Sequence, residues 1–279
     1  MPQPPITYHI GSPFIELQSV DSTNNYARQQ IHASLAQHGT AFFSHEQVAG
    51  KGQRGRTWAS EKDLNIALSI IIKPHSIPLS AQFQLSACAA VSVYEIFRKY
   101  AGEGCKIKWP NDLYWQDRKA GGILIESGVR SRESGVGREE SGACLPDRQV
   151  GSQVPEVGIW EWAIIGIGIN INQTTFPAEL PNPVSLKQIT GIIYNPVELA
   201  KEICGAMEKN YCQLVNEGFD DIYKAYNLNL YKRNNKVKLK KDNRLFDATI
   251  KSVSPSGQLI TEHATEEVFD FGAVDWIIK

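Results

Sequence analysis

Apolar residues recur at two different periods along this chain, and the switch between the two sorts most of it into elements. After Pro78, SAQFQLSACAAVSVYEIFRKYA sets Phe83, Ala87, Val91 and Tyr94 on one helical face. Val197, Ala200, Cys204, Met207, Tyr211 and Leu214 form a second such stripe, and both stripes read as core. DSTNNYARQQIHASLA reads as a shorter helix, with Asp21 or Ser22 as its N-cap. The strand signals lie between these helices. TAFFSHEQ (residues 40–47) alternates, and LNIALSIII (residues 64–72) is a β-rich apolar run. KIKW, LYW and GGILIES, separated by a Pro-Asn-Asp break and a polar QDRK turn, predict a strand, a loop and a hairpin. WEWAIIGIGININ predicts a buried strand ending in a Gly-x-Gly turn.

Two stretches break this texture. Residues 127–158 are rich in Gly, Ser, Arg and Glu with no apolar period, which predicts a long mobile hairpin loop or a disordered insert. From about Arg233 the pattern becomes short alternating strands (KVKLKK, RLFDATIKSVS, GQLITEH, EEVFDFGAVDWIIK) parted by DN and PSG turns. That pattern predicts a small C-terminal β-barrel. The expected fold class is α+β, a mixed sheet with flanking helices, divided into residues 1–232 with the flexible insert at 127–158 and a small domain over 233–279.

Bulk composition narrows the classes. With 279 residues the chain exceeds the size of about 250 at which single cores stop growing, in keeping with two domains. Hydrophobic content of 42% and charged content of 21% are ordinary, and no apolar run approaches the roughly 18 residues of a membrane span. The opening MPQPPITYHIGSPF has no cationic stretch followed by an apolar block, so export is not expected. The five cysteines (Cys88, Cys105, Cys144, Cys204, Cys212) form no CxxC pair and have no zinc-spaced histidines, which fits reduced packing residues in a cytoplasm. A formal net charge of -1 means that any phosphate or nucleic-acid affinity must come from a local cluster.

Such a cluster exists. AGKGQRGRTW, residues 49–58, carries Gly50, Gly52 and Gly55 with Lys51, Arg54 and Arg56, and ends on Trp58. Glycines let a backbone approach a ligand closely, and the cations can neutralise phosphate or carboxylate oxygens. The run lacks the GxxxxGK[ST] of a Walker A loop and the GxGxxG of a dinucleotide fold, so by itself it is an anion clamp or a solvated turn. A second motif decides between them. KWPNDLYWQDRKAGGILIE, residues 108–126, places Asn111 and Asp112 after a rigid Trp-Pro break, then Lys119, then a Gly-Gly that lets a strand pass close to something.

Together with DSTN (21–24) and GIGIN (166–170), these motifs resemble the biotin protein ligase family, in the order DSTN, GRGRxGRxW-like, KWPNDLY..DRK.AGIL.E, G.GIN. The resemblance runs from about residue 12 to the C-terminus, and it implies a class II synthetase-like catalytic domain with an SH3-like C-terminal barrel. It implies a monofunctional ATP-dependent ligase: biotin's carboxylate attacks the α-phosphorus of MgATP, and a lysine of a biotin carboxyl carrier protein of a carboxylase then takes the biotin from biotinyl-5′-AMP. Lys119 and Lys51 are its implied catalytic residues, with Lys119 bridging carboxylate and α-phosphate. Lys51 and Arg56 would lie near the phosphates with Arg54 nearby, and Trp58 would wall the ligand. Ser22, Thr23 and Gln47 would hold the ureido group, while Asn24, Gly50, Gly52, Gln53, Gly122 and Gly168 complete the binding set. Asn111 and Asn170 would place the nucleotide, with Asp112 the candidate Mg2+ ligand. Where the family often has Arg-Gly-Arg, this chain has Lys51-Gly52-Gln53, which removes one phosphate-side cation and the bidentate fork of another.

The catalytic signature begins by residue 21, so no N-terminal DNA-binding domain and no sequence-specific DNA binding are expected, and a homodimer is a family expectation. Three alternatives stay open on the sequence. They are a lipoate or octanoate ligase or transferase of the same superfamily, a non-catalytic phosphate-sensing module, and a nucleic-acid binder.

Overall fold

The computed structural model describes residues 8–74, 77–131, 137–140, 158–263 and 265–277. Its main sheet is built from β1 (Phe14–Leu17), β2 (Ala41–Ser44), β3 (Asn65–Ile72), β4 (Cys105–Lys108), β5 (Asp112–Trp115), β6 (Arg118–Ser131), β7 (Gly137–Glu140) and β8 (Gly158–Asn170). The strand order is β1-β2-β3-β8-β6-β5-β4, with β7 paired to the far end of β6. β1 runs parallel to β2 and the other pairs are antiparallel, which makes the sheet mixed.

One face of the sheet is covered by α2 (Gln82–Ala101) and α4 (Pro196–Asn216), the two helices whose apolar stripes were legible in the chain. Ile66, Leu68, Ile70 and Ile72 of β3 and Ile165, Ile167 and Ile169 of β8 point into that core. All eight residues of β3 are buried, so its run reads as apolar with little alternation. The short α1 (Thr23–His32) crosses the other face, where Ala27, Phe42, Ile71, Trp162 and Ile164 form a smaller cluster. The rest of that face, beside α1, carries the candidate site.

Three elements had no clear pattern in the chain: β1, α3 (Leu186–Thr190) and α5 (Asp220–Leu228). The five-residue α3 is held by its ends. Ser185 Oγ accepts from Gln188 N at 3.2 Å while Gln188 Oε1 accepts from Ser185 N at 3.1 Å, a reciprocal capping box. α4 starts at Pro196, with Asn195 Oδ1 accepting from Val197 N at 3.0 Å.

The expectation of an unstructured insert from residue 127 is corrected in part. β6 continues to Ser131, and β7 pairs back on it from Ser127 opposite Glu140 to Arg130 opposite Gly137. A ladder satisfies backbone groups without needing apolar side chains, so a polar Gly- and Ser-rich run gave no strand signal. Residues 132–136 and 141–157, the remainder of that expectation, lie outside the described residues, as does Cys144.

The C-terminal strands form a second, antiparallel sheet in the order β12-β11-β10-β9-β13. It comprises β9 (Lys236–Lys241), β10 (Arg244–Val253), β11 (Leu259–His263), β12 (Thr265–Phe269) and β13 (Asp275–Trp276). Trp109 ties this sheet to the first. Its buried indole donates from Nε1 to the Gly257 carbonyl at 2.9 Å and meets Phe271 edge-on at 6.1 Å between ring centroids. Among the described residues no helix is long and apolar enough to cross a membrane.

Candidate functional site

Beside α1 this face of the sheet forms a trough with a floor of small residues, roofed by the residue 49–58 hairpin. Register sets Ala67 of β3, Gly168 of β8 and Gly122 of β6 in one row, and Ser69, Gly166 and Leu124 in the next. Period-2 alternation gives these positions to one face while the intervening isoleucines fill the core behind.

The polar end of the trough is built where α1 begins. Ser22 occupies the N-cap position with extended backbone, but its side chain makes no capping bond, contrary to the cap read from the chain. Thr23 instead points across the sheet. Its backbone N–H donates to Gln47 Oε1 at 2.8 Å, and its Oγ1 lies 3.1 Å from the same oxygen and 2.7 Å from Ser69 Oγ. Asn24 is buried over Gly166, with Oδ1 2.6 Å from Ser69 Oγ and Nδ2 donating to Glu126 Oε2 at 2.9 Å. Arg28, one turn further along α1, completes the group with an ion pair to Glu126 Oε1 at 2.6 Å.

The cationic end lies across β6 and β5. Lys119 Nζ sits 2.6 Å from Asp112 Oδ1, and a Cβ at Gly122 would lie 3.1 Å from that oxygen and 3.6 Å from Nζ, so Gly122 leaves the pair open to the trough. The register shift between β5 and β6 next to Lys119 re-aims this stretch, and Lys119 is pinned by backbone bonds to Asn182 and Val184 at 2.9 Å each. Lys108, opposite Asp112 on β4, was not singled out in the chain. Its Nζ lies 5.3 Å from the ring centroids of both Tyr114 and Trp276. Burial pushes the Lys108 ammonium below its ordinary pKa; Asp112 opposes the shift, and the charges of Lys119 and Arg56 add to it. Lys119 and Lys108 therefore flank Asp112, with Arg56 and Asp275 also in electrostatic range of Lys108.

The AGKGQRGRTW run is a hairpin that folds over the trough. Trp58 N donates to Gly50 O at 2.9 Å, Gly52 N donates to Arg56 O at 2.7 Å, and Lys51 bridges Thr57. The Trp58 indole lies directly over Gly168, with Nε1 buried and unpartnered, and the Gln53 side-chain nitrogen is buried and unpartnered as well. The cations of the hairpin separate. Lys51 acts on Asp21, whose carboxyl is held below its usual range because Asn25, backbone N–H groups and Lys51 outweigh the opposing effect of burial. Arg56 faces the Lys108 and Tyr114 end. Arg54 lies with its guanidinium carbon 5.0 Å from the Phe271 ring centroid, at the C-terminal domain.

The two asparagines expected at the nucleotide use their amide nitrogens on backbone. Asn111 Nδ2 donates to Ile123 O, and Asn170 Nδ2 donates to Val184 O at 3.2 Å. Both brace the trough walls. Among the described residues there is no group of three or more His, Cys, Asp or Glu that could hold a metal ion. Ser69, Arg28, Glu126 and Lys108 are the site residues that the chain did not disclose; a carboxylate inside the apolar run GILIE was the available signal for Glu126.

Known proteins resemble this chain in sequence and fold. The model of the biotin/lipoate A/B protein ligase family matches residues 16–136. The bifunctional ligase/repressor BirA of Bacillus spizizenii is 32% identical over 208 residues, 74% of this chain and 56% of its own, so the chain spans little more than half the length of that relative. The biotin--[acetyl-CoA-carboxylase] ligase of Paracoccus denitrificans is 30% identical over 218 residues, 75% of this chain and 78% of its own. The Aquifex aeolicus biotin protein ligase solved with biotin and ATP shares the fold, with a TM-score of 0.72 at 21% identity over 95% of this chain and 98% of that one. With a relative at this identity covered over most of its length, the chain belongs to the biotin/lipoate A/B protein ligase family.

Proposed function

We propose that this protein is an ATP-dependent biotin–protein ligase, which forms biotinyl-5′-AMP and passes biotin to a lysine of a carrier protein of a biotin-dependent carboxylase. One observation carries the reading: a neutral hydrogen-bonding end and a cationic end face each other along a trough of small residues. Strand rise and spacing put Ser69 and Gly122 on the order of 12 Å apart, two strands over and two residues along. A bicyclic urea with a carboxylate at the end of a four-methylene chain suits that span, urea at Thr23 and Gln47, carboxylate at Lys119. Lipoate carries no urea and would offer no hydrogen-bonding partner to the polar groups of Thr23 and Gln47 that face the ligand, so the polar end favours biotin over the lipoate reading.

The chemistry asks for no protein nucleophile. The carboxylate oxygen attacks the α-phosphorus and pyrophosphate leaves; Lys119, Lys108 and Arg56 offset the negative charge gathered where the two anions meet. The acceptor amine then attacks the acyl carbon and AMP leaves. Trp58 over Gly168 keeps water from the mixed anhydride between the two steps. Mg2+ commonly takes one or two carboxylates and completes its shell with phosphate oxygens and water. Asp112, which shares its charge with Lys119, fits such a role, and Asp275 is a second carboxylate in range of Lys108. Lys51 and Ser22 would support the ligand from the α1 side.

Pyrophosphate release from MgATP, with and without biotin or lipoate, tests the reading on the intact chain and on Lys119→Ala. Biotin-dependent release that falls by about 10²- to 10³-fold in the variant is expected, with biotin binding much less affected. Release that ignores biotin, or follows lipoate, would overturn it.

A further inference from the structure

Behind the polar end of the trough lies a buried charge that touches no part of the open surface. Glu126 is only 3% exposed, on a strand whose neighbours are Leu124 and Ile125, and a carboxylate there is tolerated because Arg28 pairs with one oxygen and Asn24 with the other. We infer that this ion pair fixes the direction of proton donation along the chain Asn24–Ser69–Thr23, so that Thr23 meets the ligand as a hydrogen-bond acceptor. The inference rests on the biotin reading above.

Each link follows from what its groups can do. A carboxylate paired with a guanidinium only accepts, so Asn24 must present its NH2 to Glu126 and turn Oδ1 away. That oxygen faces Ser69 Oγ at 2.6 Å, and because an amide oxygen cannot donate, the single hydroxyl proton of Ser69 is committed to Asn24. Since the Ser69 proton is spent on Asn24, the 2.7 Å contact between Ser69 Oγ and Thr23 Oγ1 is closed by the Thr23 proton, which gives up the longer 3.1 Å donation from Thr23 Oγ1 to Gln47 Oε1. With its proton turned inward, Thr23 Oγ1 offers the trough a lone pair. Gln47 supplies the complement: the Thr23 N–H holds its Oε1 at 2.8 Å, which leaves its NH2 as the outward donor. An acceptor beside a donor is the pattern that reads the adjacent N–H and C=O of a urea. Arg28, Glu126, Asn24 and Ser69 are thus positioning residues for selectivity, and the charge of Glu126 fixes the sense of the chain. With a neutral amide at position 126 every link could reverse, and Thr23 could donate.

Calorimetric titration of the intact protein with biotin and with the two carbamate analogues, each carrying oxygen in place of one ureido N–H, tests this. Wild type should prefer biotin over the weaker carbamate by about 30-fold or more, the scale of a buried acceptor facing another acceptor. In Glu126→Gln, and in Ser69→Ala, which cuts the chain while keeping the ion pair, the preference should fall below about 5-fold. A general packing defect would weaken all three ligands together and leave the ratio unchanged. A wild-type ratio in Ser69→Ala overturns the inference, whether or not Glu126→Gln folds, as does a wild type that binds biotin without preference. Failure of wild type to bind biotin at all would instead overturn the function proposed above.

Discussion

Gly168→Ala puts the roof of the trough to a direct test. Gly168 lies in regular strand backbone, so alanine meets no conformational objection there. Its new methyl, however, would fall 2.5 Å from Trp58 Cε2, 2.8 Å from Cζ2 and 2.9 Å from Nε1, all well inside van der Waals contact. Overpacking of this kind costs typically about 1–3 kcal/mol when the neighbour cannot leave. Here the neighbour belongs to a surface hairpin, whereas β8 is paired along its length to β3 and β6. The hairpin therefore yields, and the cost falls on the closed position of Trp58. If closure is required for adenylate formation, about 1–3 kcal/mol lowers the closed population, and with it biotin-dependent pyrophosphate release, by about 5- to 150-fold. Tryptophan fluorescence should shift as the indole leaves its seat, while the melting temperature should hold to within about 2 °C, since each kcal/mol of global loss would move it by about 2–4 °C. Wild-type turnover with unchanged fluorescence would refute the packing argument. A large melting loss would show that the strand and not the hairpin had given way.

Other outcomes can be measured on the same protein. Trp109→Phe removes the donor to the buried Gly257 carbonyl and should lower the urea midpoint by an amount equivalent to about 1–3 kcal/mol, with the slope unchanged. Burial pushes the Cys105 and Cys204 thiols up to about 12 from an ordinary 9.0. These groups stay neutral in the folded state while the unfolded chain ionises, so their contribution is complete below pH 9 and is lost as pH rises toward 12. Each adds up to about 1.4 kcal/mol per pH unit to the alkaline fall in stability. Urea titrations between pH 8 and 10.5 should show that slope flatten in a Cys105→Ala/Cys204→Ala double variant; an unchanged slope would contradict the assignment.

The sequence was most informative where one physical demand acted alone. The stripes of α2 and α4 obey a single helical period because one face meets one core, and β3 is a plain apolar run because both its faces are covered. Lys119 and Asp112 stood out because they sit in polar breaks between apolar strands, whereas Thr23 and Gln47 were indicated by the family resemblance alone. What escaped notice answers to two demands at once. Ser69 and Glu126 lie inside strands whose other residues build the core, and only the register with β8 shows that they share the trough face. Lys108 reads as an ordinary strand lysine until Trp276, 168 positions later, closes over it. Arg54 stands among cations in the chain, and nothing there signals its aromatic partner 217 positions away. The five-residue α3 depends on its capping box, a signal too local for periodicity to register.

The seat of Arg54 on Phe271 means that the hairpin over the trough is anchored at both ends of its reach: its base belongs to the main sheet and its tip rests on the C-terminal domain. A loop suspended between two bodies transmits displacement. In the proposed ligase, a carrier that leans on the C-terminal sheet while offering its lysine would also tug on the cover of the mixed anhydride, coupling the arrival of the second substrate to the uncovering of the first product.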